Sequence, residues 1–414
     1  MAFLPLKDIT ILDLSWVLAG PHATRQFCEL GATIIKVESS KSIDVVRSGA
    51  QRKNNDSFKK EGGWAFQDQN RNKIDIGINL KTAKGREILE ELVKRSDAVV
   101  CNYGSSAFRK LRLHYEDLKQ IKDDVIVLNA SGLGDWGPYS QFVTFAPCLM
   151  GLTGMTGSIG YENSTTPYDG YPPLADYLGA LAVCNALLAA IEYRRKTGKG
   201  QFVDLSQGEA AVSYIGVPII DWQVNKKASA LRGNQHYSDS IVPHNVYKCK
   251  GDDTAWCAIA IGDEAQWQRF RALVDPECGK LLNEKFGTLA LRLKNRAELD
   301  SIISDWTSTM TPNEVGCLLQ HHGISGAPVQ TARQAMFEDG HLADRNFWQE
   351  VEYPPSEKFP PYYKVTGPIF RDEKTPHFCK PAPGLGENTK YVLRDLLNKS
   401  EEWISAAYSE GAVE

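Results

Sequence analysis

Over roughly the first hundred positions the apolar residues fall into two alternating patterns: short unbroken runs, and longer stretches in which they recur every three or four residues. Ile9-Thr-Ile-Leu-Asp-Leu14 reads as a strand, His22 to Leu30 as a helix and Thr33-Ile-Ile-Lys-Val37 as a second strand. The pattern repeats with Lys73-Ile-Asp-Ile-Gly-Ile-Asn-Leu80 as a strand, Thr82 as a helix cap, Gly85 to Lys94 as an amphipathic helix and Ala98-Val-Val-Cys101 as the next strand. Short apolar strands alternating with helices predict an α/β fold, a Rossmann-like, doubly wound parallel sheet covered on both faces. Ligands of such sheets bind beyond the carboxyl ends of the strands, which singles out Ser15 to Pro21, Glu38-Ser39, Asn102 to Ser105 and Ala130 to Pro138.

The patterning shifts after Ser206. A helix from Gly208 to Gly216 gives way to a linker, and a new unit begins with Asn245 to Lys250 and Thr254 to Ile261 as a hairpin turning at Gly251-Asp252-Asp253. Helices follow over Glu264 to Val274, Arg296 to Thr309 and Pro312 to His321, and from about Gln330 Pro-rich, strand-like segments lead to a last helix over Lys390 to Lys399. The boundaries predicted are residues 1–215 for the first part of a large domain, 216–235 for the linker, 236–330 for a smaller α+β domain and 331–414 for a final segment.

Composition narrows the classes. A chain of 414 residues exceeds what one compact core usually holds, and 42% apolar residues are ample for two. With 47 Lys+Arg against 51 Asp+Glu the net charge is -4, so no overall basic field points to nucleic acid or an anionic membrane, and any phosphate site must be local. The start lacks a basic segment followed by a long apolar one, and no later run reaches about 18 uncharged apolar residues, so a cytoplasmic protein is expected. Nine scattered cysteines without a Cys-x-x-Cys pair argue against a disulfide framework or a thiolate zinc site, and no metal is expected. No loop carries Gly-x-Gly-x-x-Gly or a Walker lysine, which leaves nicotinamide cofactors and ATP unsupported.

The most informative segment begins at Asp176. It opens an Ala/Leu-rich run from Tyr177 to Arg195, followed by Lys-Thr-Gly-Lys-Gly-Gln201 and a strand-like Phe-Val-Asp-Leu-Ser206. A carboxylate at the start of a strong helix faces the positive end of the dipole and free N–H groups, which keeps it ionised and fixed in direction. Such a group suits a nucleophile, and it equally suits a plain helix cap. The stretch from Asp176 to Gln201 resembles the signature of the class III coenzyme A transferases, and the similarity continues in Ala19-Gly20-Pro21, Leu30 to Glu38, Asn70 to Lys73 and Leu80 to Thr82, in the family's order.

That resemblance implies Asp176 as the nucleophile. It puts Leu18 and Ala19 beside the thiol end of coenzyme A and Ile78 and Lys81 along its nucleotide, joined by Asn102, Tyr103 and Lys110. Ser39 and Ser131 stand where some relatives place Arg and Lys, and Asn102-Tyr-Gly-Ser-Ser106 lacks the arginine of the family's Asn-Phe-Arg-Pro-Gly. Lys73, Lys81 and Lys110 are the basic side chains placed to meet the phosphates. Arg232-Gly-Asn-Gln-His236 resembles the family's mobile active-site loop, with Gly233 and Asn234 at its centre. Residues 331–414 are implied to rejoin the large domain, and two chains to interlock as a homodimer, or as a heteromer with a related subunit.

The implied reaction moves coenzyme A from an acyl-CoA donor, succinyl-CoA among the family's donors, to a carboxylic acid through a covalent aspartyl intermediate. The thioester is a substrate and no tightly bound cofactor is needed. Leu18 replaces the polar glutamine of oxalate-using relatives, and Trp16 and Tyr177 flank the site. Two alternatives remain. A 2-methylacyl-CoA racemase would need an acid/base histidine about 30 residues before the aspartate, a region that here holds Phe145-Ala-Pro147 and no histidine. A non-catalytic, CoA-ester-binding subunit of a heteromer would be expected to have lost the nucleophile. His22, an isolated histidine in a first helical turn, reads as structural.

Overall fold

A computed structural model describes residues 4–48, 63–168, 172–228, 230–352, 362–370 and 379–414. Six strands, β1 (Thr10–Asp13), β2 (Thr33–Glu38), β3 (Ile74–Gly77), β4 (Ala98–Cys101), β5 (Ile126–Ser131) and β6 (Gln201–Ser206), form one sheet in the order β3-β2-β1-β4-β5-β6. Every pairing in it is parallel, as the alternating strand and helix pattern predicts. Strand residues alternate between the faces. Leu12, Ile35, Val37, Val99 and Val127 pack with Ile88, Leu92 and Ile404, contributed by the helices Ala83–Arg95 and Glu401–Ser409. Ile11, Ile34, Val100, Ile126 and Leu128 pack on the opposite side with Phe27, Val183 and Leu187, from the helices Ala19–Glu29 and Leu174–Thr197. Both faces are covered, which is why β4 and β5 are buried along their whole length.

Local signals behave as their chemistry requires. Thr82 caps its helix by accepting the Gly85 N–H at 3.0 Å. The Thr-Gly-Lys-Gly-Gln motif has a backbone explanation: Gly198 ends the Leu174–Thr197 helix with φ +69°, and a Cβ on Gly200 would lie 2.1 Å from the Val125 carbonyl oxygen. The helix read from His22 begins three residues earlier, at Ala19. The stretch read as linker contains a helix, Gly216–Asn225, whose Pro218 falls within the first turn, where no intrahelical N–H bond is lost. Of the last helical reading, Lys390 to Lys399, only Lys390 and Tyr391 are α-helical, within Thr389–Tyr391, and Val392–Leu396 continues as a π-helical turn.

The chain divides into two compact units. One comprises Met1–Met155, Asp169–Lys226 and Asn346–Glu414 and holds the six-stranded sheet. Its β3 edge is closed by late residues: Asn388 Oδ1 accepts the Asp75 N–H, Thr389 Oγ1 accepts that of Gly77, and Ile78 bridges Val413. The other comprises Thr156–Tyr168 and Lys227–Arg345. It holds an antiparallel sheet of β7 (His244–Lys248), β8 (Trp256–Ala260) and β9 (Gly326–Val329), in which β7 and β8 form the hairpin read from the sequence. Trp267, Phe270, Ile303, Trp306 and Leu319 form its core.

Candidate active site at the carboxyl edge of the sheet

β1 leads to β2 and β3 on one side while β4 leads to β5 and β6 on the other, so the order reverses between β1 and β4. Doubly wound sheets bind their ligands in the crevice that forms at such a switch point. Asn102, just past β4, bridges the loops leaving β1 and β4: its Oδ1 accepts the Trp16 N–H at 2.8 Å and its Nδ2 donates to the Trp16 carbonyl at 2.7 Å. Asn129 does the same for Tyr103, accepting its N–H at 3.1 Å and donating to its carbonyl at 3.0 Å. The Trp16 and Tyr103 rings meet edge to face at 6.1 Å. Leu18 and Ala19, the turn into the following helix, are both buried.

Beneath these loops lies an ionic cluster that strand patterning did not announce. Asp13 is fully buried; Oδ1 accepts from the Ser15 N–H and hydroxyl, and Oδ2 from Thr24 at 2.7 Å and Lys73 Nζ at 2.9 Å. Burial alone would raise its pKa, but the Lys73 and Lys36 ammonium groups outweigh burial and hold the carboxyl well below the usual range. Lys73 also donates to the Pro21 carbonyl and to Asn70, and burial pulls its pKa down to about 8 against the attraction of Asp13. This corrects the expectation for Lys73. It is an interior structural cation with no face toward a phosphate. Lys36 donates to the Ser15 carbonyl, and Asp44 Oδ2 accepts the Val17 N–H at 2.9 Å. The only signal for these residues was charge inside apolar strand patterns, Asp13 and Lys36 interrupting β1 and β2.

The Leu174–Thr197 helix connects β5 to β6, two adjacent parallel strands, so its first turn lies at this same carboxyl edge. Asp176 is the third residue of that turn. The N-cap is Pro173, whose carbonyl accepts the Asp176 N–H at 3.1 Å, and no side chain caps this end. Asp176 therefore does not cap this helix through its side chain. No described residue supplies it with a counter-charge or a donor, and burial raises its pKa to about 6. Desolvation thus outweighs the dipole stabilisation expected from the helix start. The carboxylate is still mostly ionised at neutral pH while poorly solvated, a state that suits a nucleophile.

Tyr177 packs edge to face on His22 at 5.1 Å. Gln69 Nε2 is committed to Asp68 at 2.7 Å, so its Oε1 faces His22 Nδ1 at 2.7 Å and the proton of a neutral ring sits on Nδ1. Burial lowers the His22 pKa to about 4, which keeps it neutral and fits the structural reading. Gln207 lies against Gly179, one turn beyond Asp176, and donates to the Ala130 carbonyl at 2.6 Å. Ser131, at the end of β5, is buried.

The remaining expected contacts divide. Ser39 follows β2 at the same edge, but its hydroxyl donates to the Glu414 carboxylate at 3.0 Å, and the Ser40 N–H does so at 2.7 Å. Ser39 therefore meets a phosphate only by displacing that carboxylate. Ile78 is buried just past β3, with its N–H on the Glu38 carbonyl. Lys81 and Lys110 are exposed, Lys110 at the end of the helix Ser105–Lys110. Its neighbour Arg109 is tied to Asp135 at 2.5 Å. Gly233 and Asn234 belong to the smaller unit: Gly233 has φ +57° and donates to the Gly160 carbonyl, and Asn234 Nδ2 donates to Asn245 Oδ1 at 3.1 Å. The described residues contain no group of three or more His, Cys, Asp or Glu side chains arranged for a metal ion.

A desolvated aspartate, with no counter-charge among the described residues, stands at the carboxyl edge of a doubly wound parallel sheet, the edge at which such sheets bind ligands. Residues 6–389 match CoA-transferase family III, and the chain belongs to that family of enzymes. It is 29% identical over 415 residues to the human succinyl-CoA:glutarate CoA-transferase, covering 99% of this chain and 90% of that one. It is also 29% identical over 405 residues to a probable CoA-transferase, Rv1866, of Mycobacterium tuberculosis; the match takes in 96% of this chain and spans 49% of that longer protein. The fold matches the crystal structure of a CAIB/BAIF family protein from Brucella suis with a TM-score of 0.80 at 24% identity, covering 95% of this chain and 99% of that one.

Proposed function

We propose that this enzyme moves coenzyme A from succinyl-CoA to a second carboxylic acid, with Asp176 as the covalent nucleophile. The observation that carries the reading is the Asp176 carboxylate itself, burial-raised to about 6 and without a counter-charge among the described residues. Ionised Asp176 attacks the thioester carbonyl and expels coenzyme A thiolate, leaving a mixed anhydride between the aspartate and the donor acid. The thiolate then attacks the aspartyl carbonyl and releases the donor carboxylate, which forms an aspartyl thioester. The acceptor carboxylate opens it by the same two steps in reverse, and Asp176 is regenerated. No net proton is consumed. The N–H groups of Leu174 and Ala175, which open the helix, are suited to the tetrahedral oxyanions.

The coenzyme A thiol end is assigned to Leu18 and Ala19 and the loops bridged by Asn102, with Tyr103 and Ser131 near them. Lys81 and Lys110 are assigned to the phosphates, helped by Ile78 and, once freed from Glu414, Ser39; Gly233 and Asn234 are assigned to the closing loop. Succinyl-CoA as donor follows the activity named for the human relative. A second copy of the chain is proposed as the partner, supported by exposed apolar side chains on the helix Gly216–Asn225: Val217, Ile220, Trp222 and Val224 are 49%, 58%, 54% and 71% exposed. A cytoplasmic location fits the nine free cysteines. The Leu174–Thr197 helix is long and apolar enough to cross a membrane, but Ala180, Val183, Leu187 and Ile191 bury one side of it on the sheet.

The test is mass spectrometry of the protein incubated with succinyl-CoA and trapped with hydroxylamine, comparing wild type with Asp176→Ala. Hydroxamate on the peptide holding Asp176, absent from the variant, is the expected result. Transfer from succinyl-CoA to an added carboxylic acid by wild type with an unmodified Asp176 would sink the covalent reading; no transfer by the isolated chain would favour a subunit that needs a catalytic partner.

A further inference from the structure

The loop between β1 and the helix Ala19–Glu29 carries a backbone anomaly. Val17 has φ +63°, a region open to glycine and costly for a β-branched residue, whose Cβ crowds the backbone there. The surroundings hold it in place. Trp16 is bonded through both its N–H and its carbonyl to Asn102, the Ser15 N–H is held by Asp13 and the Ser15 carbonyl by Lys36. The Val17 N–H itself goes to Asp44 Oδ2 at 2.9 Å, while Asp44 Oδ1 accepts the Val46 N–H at 3.0 Å. Asp44 is 2% exposed, so its carboxylate is committed to these amides and is no surface charge. Leu18 and Ala19, the residues assigned to the thiol end of coenzyme A, follow at once, and the direction in which the chain enters their helix depends on the Val17 backbone. Strain concentrated at a ligand-binding edge and over-determined by side chains from three other segments is the arrangement expected where geometry serves function.

We propose that Asp44 is a positioning residue for the coenzyme A transfer: by holding Val17 in the left-handed region it sets the Leu18-Ala19 turn on which the thioester is presented to Asp176. The inference rests on the functional reading above. It acts through backbone geometry, so glycine at position 17, which adopts this conformation without strain, makes Asp44 dispensable.

The experiment is a cycle of wild type, Asp44→Ala, Val17→Gly and the double variant, with kcat and KM for succinyl-CoA measured per acylatable site and thermal unfolding measured alongside. Asp44→Ala is expected to lower kcat roughly tenfold to a hundredfold with KM within about threefold, the mark of a misdirected reacting group. The double variant is expected to return to within about threefold of Val17→Gly alone. A double variant as slow per site as Asp44→Ala overturns the proposal and leaves Asp44 a purely structural acid. Should Asp44→Ala not fold, Asp44→Val, which also lacks an acceptor for the Val17 N–H, takes its place in the same cycle. Wild type that carries no acyl group on Asp176 would defeat the functional reading itself; acylated wild type without rescue defeats this inference alone.

Discussion

Asp13 and Asp176 are both largely buried acids near the same edge of the same sheet, and they behave in opposite ways. Asp13 is saturated by Lys73, Thr24 and Ser15 and is held as an anion well below the ordinary range. Asp176 has lost water without gaining a partner among the described residues, and its pKa rises to about 6. A carboxylate whose lone pairs are all engaged is a structural part, since attack would first require breaking several bonds. One that is desolvated and unengaged stores the cost of its charge and releases it on bonding to carbon. The contrast separates scaffold from chemistry more sharply than burial alone.

The largest expected effect breaks the comparison on the chemical side. Asp176→Ala should reduce transfer activity by about 10³-fold or more while the fold is kept, checked by steady-state rates and circular dichroism. On the scaffold side, Asp13→Ala should leave Lys73 and Lys36 unbalanced and cost about 3–5 kcal/mol of stability in denaturant titrations, whereas Asp13→Leu combined with Lys73→Met should cost far less.

Acid and base should then pull the two residues apart. Activity should fall as pH drops through about 6, because protonated Asp176 is no nucleophile. For stability, the Asp176 pKa is raised on folding from 3.8, so its contribution is fully present below that value and lost as pH rises through about 6. Asp176→Asn should therefore be more stable than wild type by about 1–3 kcal/mol near pH 8, with the gain vanishing near pH 4. Asp13 runs the other way: its pKa is lowered from 3.8, and its contribution is lost as pH falls. The smallest effect is a control at the far end of the Asp176 helix. Gly198→Ala forces a side chain into φ +69° and should cost about 1 kcal/mol without moving the pH midpoint of activity.

The sheet was legible in the sequence because each strand is short, apolar and bounded by helices of different period. β4 was read to the residue, and the helix Pro312–His321 likewise, where a capping box on Thr311 and Glu314 marks the start. Asp176 was visible by its place before a long apolar helix and by its spacing to Thr-Gly-Lys-Gly-Gln. What the sequence did not disclose are interactions made across the fold. That Lys73 would turn inward depends on Asp13, 60 positions earlier, and that His22 would meet Tyr177 depends on two helices packing on one face. The occupation of Ser39 by Glu414 joins residues 375 positions apart, and no local pattern could carry it. The placement of Thr156–Tyr168 with the smaller unit is likewise tertiary.

The closure of the β3 edge bears on how this chain is made. Its bonds to Asn388 and Thr389 join residues 313 and 312 positions apart, and the whole smaller unit lies between them. A ribosome delivers β1 to β6 long before the segment that shuts β3, so the nascent sheet waits with one edge unpaired while the β7–β8 hairpin completes itself from neighbours. Loop-closure entropy makes that last pairing slow, and an open parallel edge is where chains adhere to one another. Yield in a cell should therefore be governed less by the stability of the finished enzyme than by how long that edge stays bare.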